Sequence, residues 1–362
     1  MNTRIILVGG FLGAGKTSLL WESARLLTQE GKKVGLITND QASELVDTEF
    51  LQKEGDRVSE VSGSCFCCNY NGFIDAIKHL TEKKQAEIII AEPVGSCTDL
   101  SATILQPLKH QFYDQFVVAP LTVLVDPEKL SIILDTKESL LHQSAVYIIQ
   151  KQMEEADIIA INKSDQLTPE EIKSLKQRTE KMFPFATVFT LSVKNGKSLD
   201  PWLKDVMNRV DAGTHLATVD YDIYAEGEAV LGWLNASFSL EGHQIVWDDY
   251  VRKLLLSLSQ QFDQEKIAVG HLKLILTTGN KYIVGNVTGK VNSLNLRGSA
   301  GIGDKAKLIL NARVQMKEST LKRIVLDEIA KASLEDIRVL TISLKSLTPG
   351  RPNPTHRFKQ VV

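Results

Sequence analysis

Residues Gly10-Phe11-Leu12-Gly13-Ala14-Gly15-Lys16-Thr17 have the composition and spacing of a loop that wraps a phosphate. The pattern G-x-x-x-x-G-K-[ST] works because its glycines let the backbone fold tightly enough to aim successive N–H groups at one anion. In that role Gly10, Gly13, Ala14, Gly15 and Ser18 line the nucleotide, Lys16 reaches the β- and γ-phosphates, and the Thr17 hydroxyl ligates Mg²⁺. An ordinary glycine-rich turn is the alternative. It is disfavoured because an apolar run precedes the motif and a helical pattern follows it. A second motif, Asn162-Lys163-Ser164-Asp165, comes after the apolar residues 158–161. There the Asp165 carboxylate can accept hydrogen bonds from N1–H and N2–H₂ of guanine, donors that adenine does not offer, so GTP is the expected nucleotide. Asn162 and Lys163 join it as nucleotide-binding residues. Ser192 either supports the base from the other side or is a plain loop serine.

The chain has four cysteines, three in Cys65-Phe66-Cys67-Cys68 and the fourth at Cys97. Such crowding suits metal or redox work better than a disulfide framework. Cys65, Cys67 and Cys68 can give three thiolates to Zn²⁺, or to Co²⁺ or Ni²⁺, and a closed tetrahedral site needs one more donor from water, Cys97 or another chain. Three ligands leave the site open, as a carrier that hands its metal on requires. The competing reading makes the cysteines small buried hydrophobes. A catalytic dithiol fits less well, since Cys67 and Cys68 are adjacent and Cys65 and Cys67 lack C-x-x-C spacing. Asp40 and Glu92 each follow an apolar run, a position from which carboxylates face Mg²⁺ and the γ-phosphate. Asp40 is expected to organise Mg²⁺, Glu92 to orient the attacking water or hold a metal-bound one, and Gly95 to offer its backbone N–H to the γ-phosphate. A solvated strand-end charge is the alternative for either carboxylate. The seven histidines are scattered and read as structural or surface groups, with His271 standing out on a strand of the second half.

These side chains need a sheet to hold them. Through about Asp211, short apolar runs at 5–8, 34–38, 88–91, 121–125, 158–161 and 188–191 alternate with helical patterns. Parallel strands buried on both faces read this way, which predicts an α/β P-loop NTPase domain with a mostly parallel sheet over residues 1–211. A polar stretch then opens a linker at 212–225, followed by a smaller α+β domain at 226–345 and a proline-rich irregular tail at 346–362. In the second domain, residues 230–240 alternate as a strand with one better buried face. Trp247, Val251, Leu254, Leu255, Leu258 and Phe262 form a helical stripe after it. Strands at 272–276, 282–287 and 308–314 and a helix through Leu321, Ile324, Val325 and Ile329 complete a β-α-β-β-β-α order, which suits helices on one face of an antiparallel sheet.

With Lys16, Cys65-Phe66-Cys67-Cys68, Glu92-Pro93-Val94-Gly95 and Asn162-Lys163-Ser164-Asp165 in that order, residues 4–203 resemble the CobW-type metal-centre GTPases, relatives of the urease and hydrogenase nickel-insertion GTPases. The stretch from Gly9 to Thr17 is very similar to that family's phosphate loop, as is Ala156-Asp157 leading into Asn162. The resemblance implies hydrolysis of GTP to GDP and phosphate in the service of metal delivery or cofactor assembly, corrinoid assembly included. A client metalloenzyme or cofactor-assembly protein is the implied partner. Ser64 separates Gly63 from Cys65 where family members usually have glycine directly before the first cysteine, so the loop is expected to be shaped differently. Asn39-Asp40 stands where many members have asparagine-glutamate and is similar to the nickel-insertion branch, which leaves the metal open. No histidine-rich run offers metal storage, and the second domain does not match the usual CobW carboxy-terminal sequence.

Two other readings compete. One is a regulatory GTP-binding switch module with structural cysteines. The other is a small-molecule kinase, disfavoured by Asn162 to Asp165. Composition narrows the field further. A chain of 362 residues is too long for one core and fits two domains. With 42 Lys and Arg against 44 Asp and Glu, the net charge of −2 supplies no field to draw nucleic acid or an anionic membrane. The hydrophobic share of 43% includes no apolar run near the ~20 residues of a membrane helix. Met1-Asn2-Thr3-Arg4 leads straight into an apolar strand without a signal-peptide cleavage site, so the cytoplasm is the expected compartment. The oligomeric state, a homodimer included, is left open.

Overall fold

The computed structural model describes residues 2–40, 46–54, 57–135, 140–196, 198–288, 294–333 and 336–362. Its first sheet comprises β1 (Thr3–Gly9), β2 (Val34–Asp40), β3 (Val58–Ser62), β4 (Ile88–Ala91), β5 (Phe116–Val118), β6 (Thr122–Val125), β7 (Ile158–Ile161) and β8 (Thr187–Thr190). The order is β3-β2-β4-β1-β6-β7-β8, with β5 beside the start of β1, and every pairing is parallel. Parallel neighbours need crossover connections, and these carry α1 (Lys16–Gln29), α2 (Val46–Glu54), α3 (Tyr70–Lys78), α4 (Gln106–Gln111), α5 (Pro127–Asp135), α6 (Gln143–Glu154) and α7 (Pro169–Met182), while α8 (Leu199–Asn208) follows the last strand. Helices on both faces explain the continuous apolar runs. Ile5 and Leu7 enter one core while Ile6 and Val8 enter the other, as the two-residue side-chain period dictates. Because all strands run the same way, Gly9, Asp40, Ser62, Ala91, Val125, Ile161 and Thr190 end at one edge, where ligands of such sheets bind.

β3 and β5 have no counterpart among the apolar runs. β3 lies at the sheet edge, reads Val-Ser-Glu-Val-Ser, and buries only Val61, so composition alone does not mark it. It decides the site nonetheless, since it delivers the cysteine loop beside the end of β2.

The second sheet comprises β9 (Gly232–Val246), β10 (Val269–Thr278), β11 (Lys281–Val287), β12 (Asn295–Ser299), β13 (Ile302–Val314) and β14 (Ile337–Leu347), in the order β12-β11-β10-β13-β9-β14 with antiparallel pairing throughout. Before it, α9 (Tyr221–Ala229) falls largely where the sequence suggests a linker. It packs so closely on α6 that a Cβ on Gly227 would lie 2.4 Å from the Ser144 carbonyl oxygen. After it come α10 (Trp247–Gln264) and α11 (Glu318–Ser333), whose Leu254, Leu258, Val325 and Ile329 share a core with Leu234, Ala236, Phe238 and Leu240 of β9. The one better buried face expected for the strand at 230–240 is corrected by the structure, in which both faces are buried through Phe238. Gly232 to Phe238 are all buried, because Trp233 faces the core of the first domain. Ile275 and Ile309 likewise pack with Val46, Phe50 and Leu51, and the Val46 amide donates to Asn311 Oδ1 at 2.8 Å. The second sheet therefore rests its free face on the first domain. β12 and β14 lie at the sheet edges and are mostly exposed or half-buried, and neither is among the strands expected from the sequence. Among the described residues, no helix is long and apolar enough to cross a membrane.

Candidate functional site

The turn from β1 into α1 encloses a cleft of about 1940 Å³ at the carboxyl edge of the first sheet, lined by both domains. Gly10 has φ +123°, and a Cβ there would lie 2.2 Å from the Leu124 carbonyl oxygen. Gly15, with φ +99°, caps α1, and a Cβ there would lie 2.5 Å from Asn162 Nδ2. Only glycine tolerates both the backbone conformation and the crowding. Lys16 is buried at 6% exposure and donates from Nζ to the Gly10 carbonyl at 2.9 Å. Burial lowers its pKa, and the Glu92 and Asp47 charges oppose that shift. Ser18 is exposed on the first turn of α1, and Gly13 and Ala14 complete the loop.

Asn162 braces the site. Its Nδ2 donates to the Ala14 carbonyl at 2.8 Å and its Oδ1 accepts from the Val193 amide at 3.2 Å, tying the phosphate loop to the segment after β8. Lys163, at φ +59°, places its ammonium 3.8 Å from Asp126 and donates to Thr288 Oγ1 at 3.4 Å. Asp165 lies exposed at the mouth of the cleft. The buried Ser192 hydroxyl donates to Asp165 Oδ1 at 2.6 Å, so it positions the carboxylate.

Glu92 follows β4 and is 7% exposed. Its Oε1 accepts from Thr17 Oγ1 at 3.1 Å, while the buried Oε2 has no hydrogen-bond partner among the described residues. Burial, reinforced by the Asp47 charge, pushes the Glu92 carboxyl above its ordinary range. A hydroxyl beside an unsatisfied buried carboxylate oxygen is a donor set that suits Mg²⁺ or a metal-bound water. Gly95 lies against the phosphate loop, where a Cβ would come within 2.6 Å of Leu12 Cδ2. Asp40 ends β2, and its side chain lies outside the described residues. Asp47 and Lys273, which no motif marks, also line the cleft, and Lys273 Nζ contacts Asp47 Oδ2 at 2.6 Å. His271, on β10, is buried in the same wall.

The cysteine loop leaves β3 through Gly63 at φ +94° and runs into α3, whose cap Asn69 accepts from the Gly72 amide. The Cys65, Cys67 and Cys68 sulfurs lie within 4.8 Å of one another, with Cys65 to Cys67 at 3.0 Å and Cys67 to Cys68 at 3.8 Å. Sulfurs about 2.3 Å from a tetrahedral Zn²⁺ would be about 3.8 Å apart, so the cluster needs little adjustment to close on one. Hydrogen bonds from the Cys67, Cys68 and Cys97 thiols hold Cys65 well below the usual thiol range, and the same sharing pushes Cys68 up to about 11. Cys97 is fully buried, and its carbonyl accepts from Gln152 Nε2 at 2.7 Å. The tail covers the cluster: the Asn353 amide donates to Cys68 Sγ at 3.3 Å and the Thr355 amide to the Cys67 carbonyl at 2.8 Å. Asn39, next to Asp40, joins the two sites. Its Nδ2 donates to the Val61 and Ser64 carbonyls at 2.7 and 2.8 Å, and its Oδ1 accepts from the Phe66 amide at 2.9 Å.

The model of the CobW/HypB/UreG nucleotide-binding domain matches residues 4–190. The zinc chaperone YeiR of Escherichia coli is 29% identical over 180 residues, which is 48% of this chain and 51% of the relative. The zinc chaperone CobW of Pseudomonas aeruginosa is 25% identical over 211 residues, covering 50% of this chain and 54% of the relative. The chain thus spans about half the length of the curated relatives it matches. Among solved structures, HypB from Helicobacter pylori in complex with nickel is similar at 19% identity and a TM-score of 0.43, over 60% of this chain and 92% of that one.

Proposed function

The chain belongs to the CobW/HypB/UreG family, and from that premise we propose that it is a GTPase that carries zinc to a client metalloprotein. Two zinc chaperones among its relatives support the cargo. Cobalt and nickel suit the same thiolates less specifically, and a corrinoid enzyme is one form the client could take. The phosphate loop and Lys16 hold the β- and γ-phosphates, Asn162 fixes the loop, and Asp165, held by Ser192, pairs with the guanine edge. Thr17 and Glu92, with Asp40, would hold Mg²⁺, which neutralises phosphate charge when bound. Glu92, raised in proton affinity by burial, also suits hydrogen bonding to the attacking water.

The observation that carries the proposal is the Asn39 clamp. One side chain on β2, adjacent to the expected Mg²⁺-organising Asp40, bonds Val61 of β3 and both Ser64 and Phe66 of the cysteine loop. On the other side, Glu92, Gly95 and Cys97 share a single loop after β4. A movement of either segment on loss of the γ-phosphate displaces thiols. Zinc affinity is therefore expected to differ between the GDP state and a non-hydrolysable GTP analogue by roughly 5- to 150-fold, and zinc must alter the preference for the analogue over GDP by the same factor. Competition titrations on the reduced protein measure both. Equal zinc affinity in the two states would leave two independent sites and sink the chaperone mechanism.

Asp165→Ala tests the base assignment. The variant is expected to lose GTP affinity by about 100-fold or more, with residual ATP binding little changed, because the guanine donors lose their acceptor. Equal losses for the two nucleotides would remove Asp165 from the base site.

A further inference from the structure

The second domain reaches into the nucleotide cleft. Its β10 and the end of β11 run against the phosphate loop so closely that a Cβ on Gly13 would lie 3.1 Å from the carbonyl oxygen of Gly270, on β10, and 2.8 Å from Cγ2 of Thr288, just after β11. Three residues along β10, Lys273 projects over the same loop. Its ammonium donates to both Asp47 oxygens, at 2.9 and 2.6 Å, and to Thr17 Oγ1 at 3.4 Å. Thr17 is in turn bonded to Glu92, so a cation from one domain stands among the Mg²⁺-binding groups of the other.

That station cannot be kept unchanged in every state. A Mg²⁺ taken up by the Thr17 hydroxyl would sit beside the ammonium, and two cations at that spacing repel. The only new anion that distinguishes GTP from GDP is the γ-phosphate. We propose that Lys273 is a phosphate-contacting residue supplied by the second domain. In the absence of the γ-phosphate its ammonium rests on Asp47, and with GTP bound it pairs with the γ-phosphate and stabilises the charge that develops during transfer. The contact makes the placement of the second domain depend on the nucleotide. The assignment rests on the GTPase reading above and deepens it, by giving that domain a part in the chemistry.

The test compares the affinities of GDP and a non-hydrolysable GTP analogue, both with Mg²⁺, for the full chain and for Lys273→Met, Lys273→Arg and Asp47→Asn. Lys273→Met is expected to lose about tenfold or more in analogue affinity, the scale of one charge-assisted contact, while GDP affinity holds. Its hydrolysis should fall by about 100-fold. Lys273→Arg, which keeps the charge, should recover most of both. Asp47→Asn, which releases the ammonium from its resting partner, should keep or increase the preference for the analogue. Loss of GDP and analogue binding in equal measure by Lys273→Met would make the residue a domain-docking contact and overturn the proposal. So would wild-type behaviour of that variant, or an Asp47→Asn variant that reproduces its loss. Failure of the wild-type chain to bind either nucleotide is a different result, which sinks the GTPase reading and the assignment with it.

Discussion

Replacing Lys16 by alanine is expected to reduce GTP turnover by about 100- to 1,000-fold, the scale on which one preorganised electrostatic donor contributes to a transition state. Lys16 is 6% exposed, and its ammonium has the Gly10 carbonyl as a hydrogen-bond partner. Burial works against its charge, and Glu92 and Asp47 restore part of the loss. A buried cation held at that cost contributes little to folding and much to binding an anion. Lys16→Ala should therefore melt at or above the wild-type temperature while hydrolysis nearly vanishes. Turnover assays and thermal melts on the same preparation separate the two effects. Normal turnover would refute the phosphate-loop assignment, and a collapsed melting temperature would show that the loop depends on the lysine for structure.

The second large effect is expected at Cys67. Its sulfur is 3.0 Å from that of Cys65 and 3.8 Å from that of Cys68, so it lies close to both of the other candidate ligands. Removing a partner that merely orients a metal ligand costs about 10- to 100-fold in affinity, and removing a ligand should exceed that range. Cys67→Ala is thus predicted to lower zinc affinity by more than about 100-fold, read by competition with a chelator under reducing conditions. Cys67 is nearly fully buried, so the substitution also leaves a small void, and the fold is checked by GDP binding, which should persist. Undiminished zinc binding would return the cysteines to the role of small buried hydrophobes and favour the regulatory-switch reading.

The residues that carry chemistry in contiguous motifs were legible because their geometry is local. Gly10 to Thr17 bend within a single strand-to-helix turn, so glycine placement, lysine and threonine announce it. Cys65, Cys67 and Cys68 converge within one loop, and their spacing needs no partner from elsewhere. The alternation of apolar runs with helical patterns likewise dictates a parallel sheet, since each strand must bury both faces.

Tertiary structure decided what these motifs do together. β3 is too polar to stand out, yet its parallel pairing with β2 places Asn39 against the cysteine loop, where three hydrogen bonds couple residues separated by more than twenty positions. Ser192 is an ordinary loop serine until the end of β8 brings it to Asp165. Asp47 and Lys273 lie 226 positions apart, and nothing in either neighbourhood identifies them as partners. Their meeting depends on the second sheet laying its free face on the first domain, through Ile275, Ile309 and Trp233. A motif records the contacts a short segment makes with itself. Contacts across a sheet or between domains depend on burying distant apolar faces against each other, which the spacing of neighbouring residues does not encode.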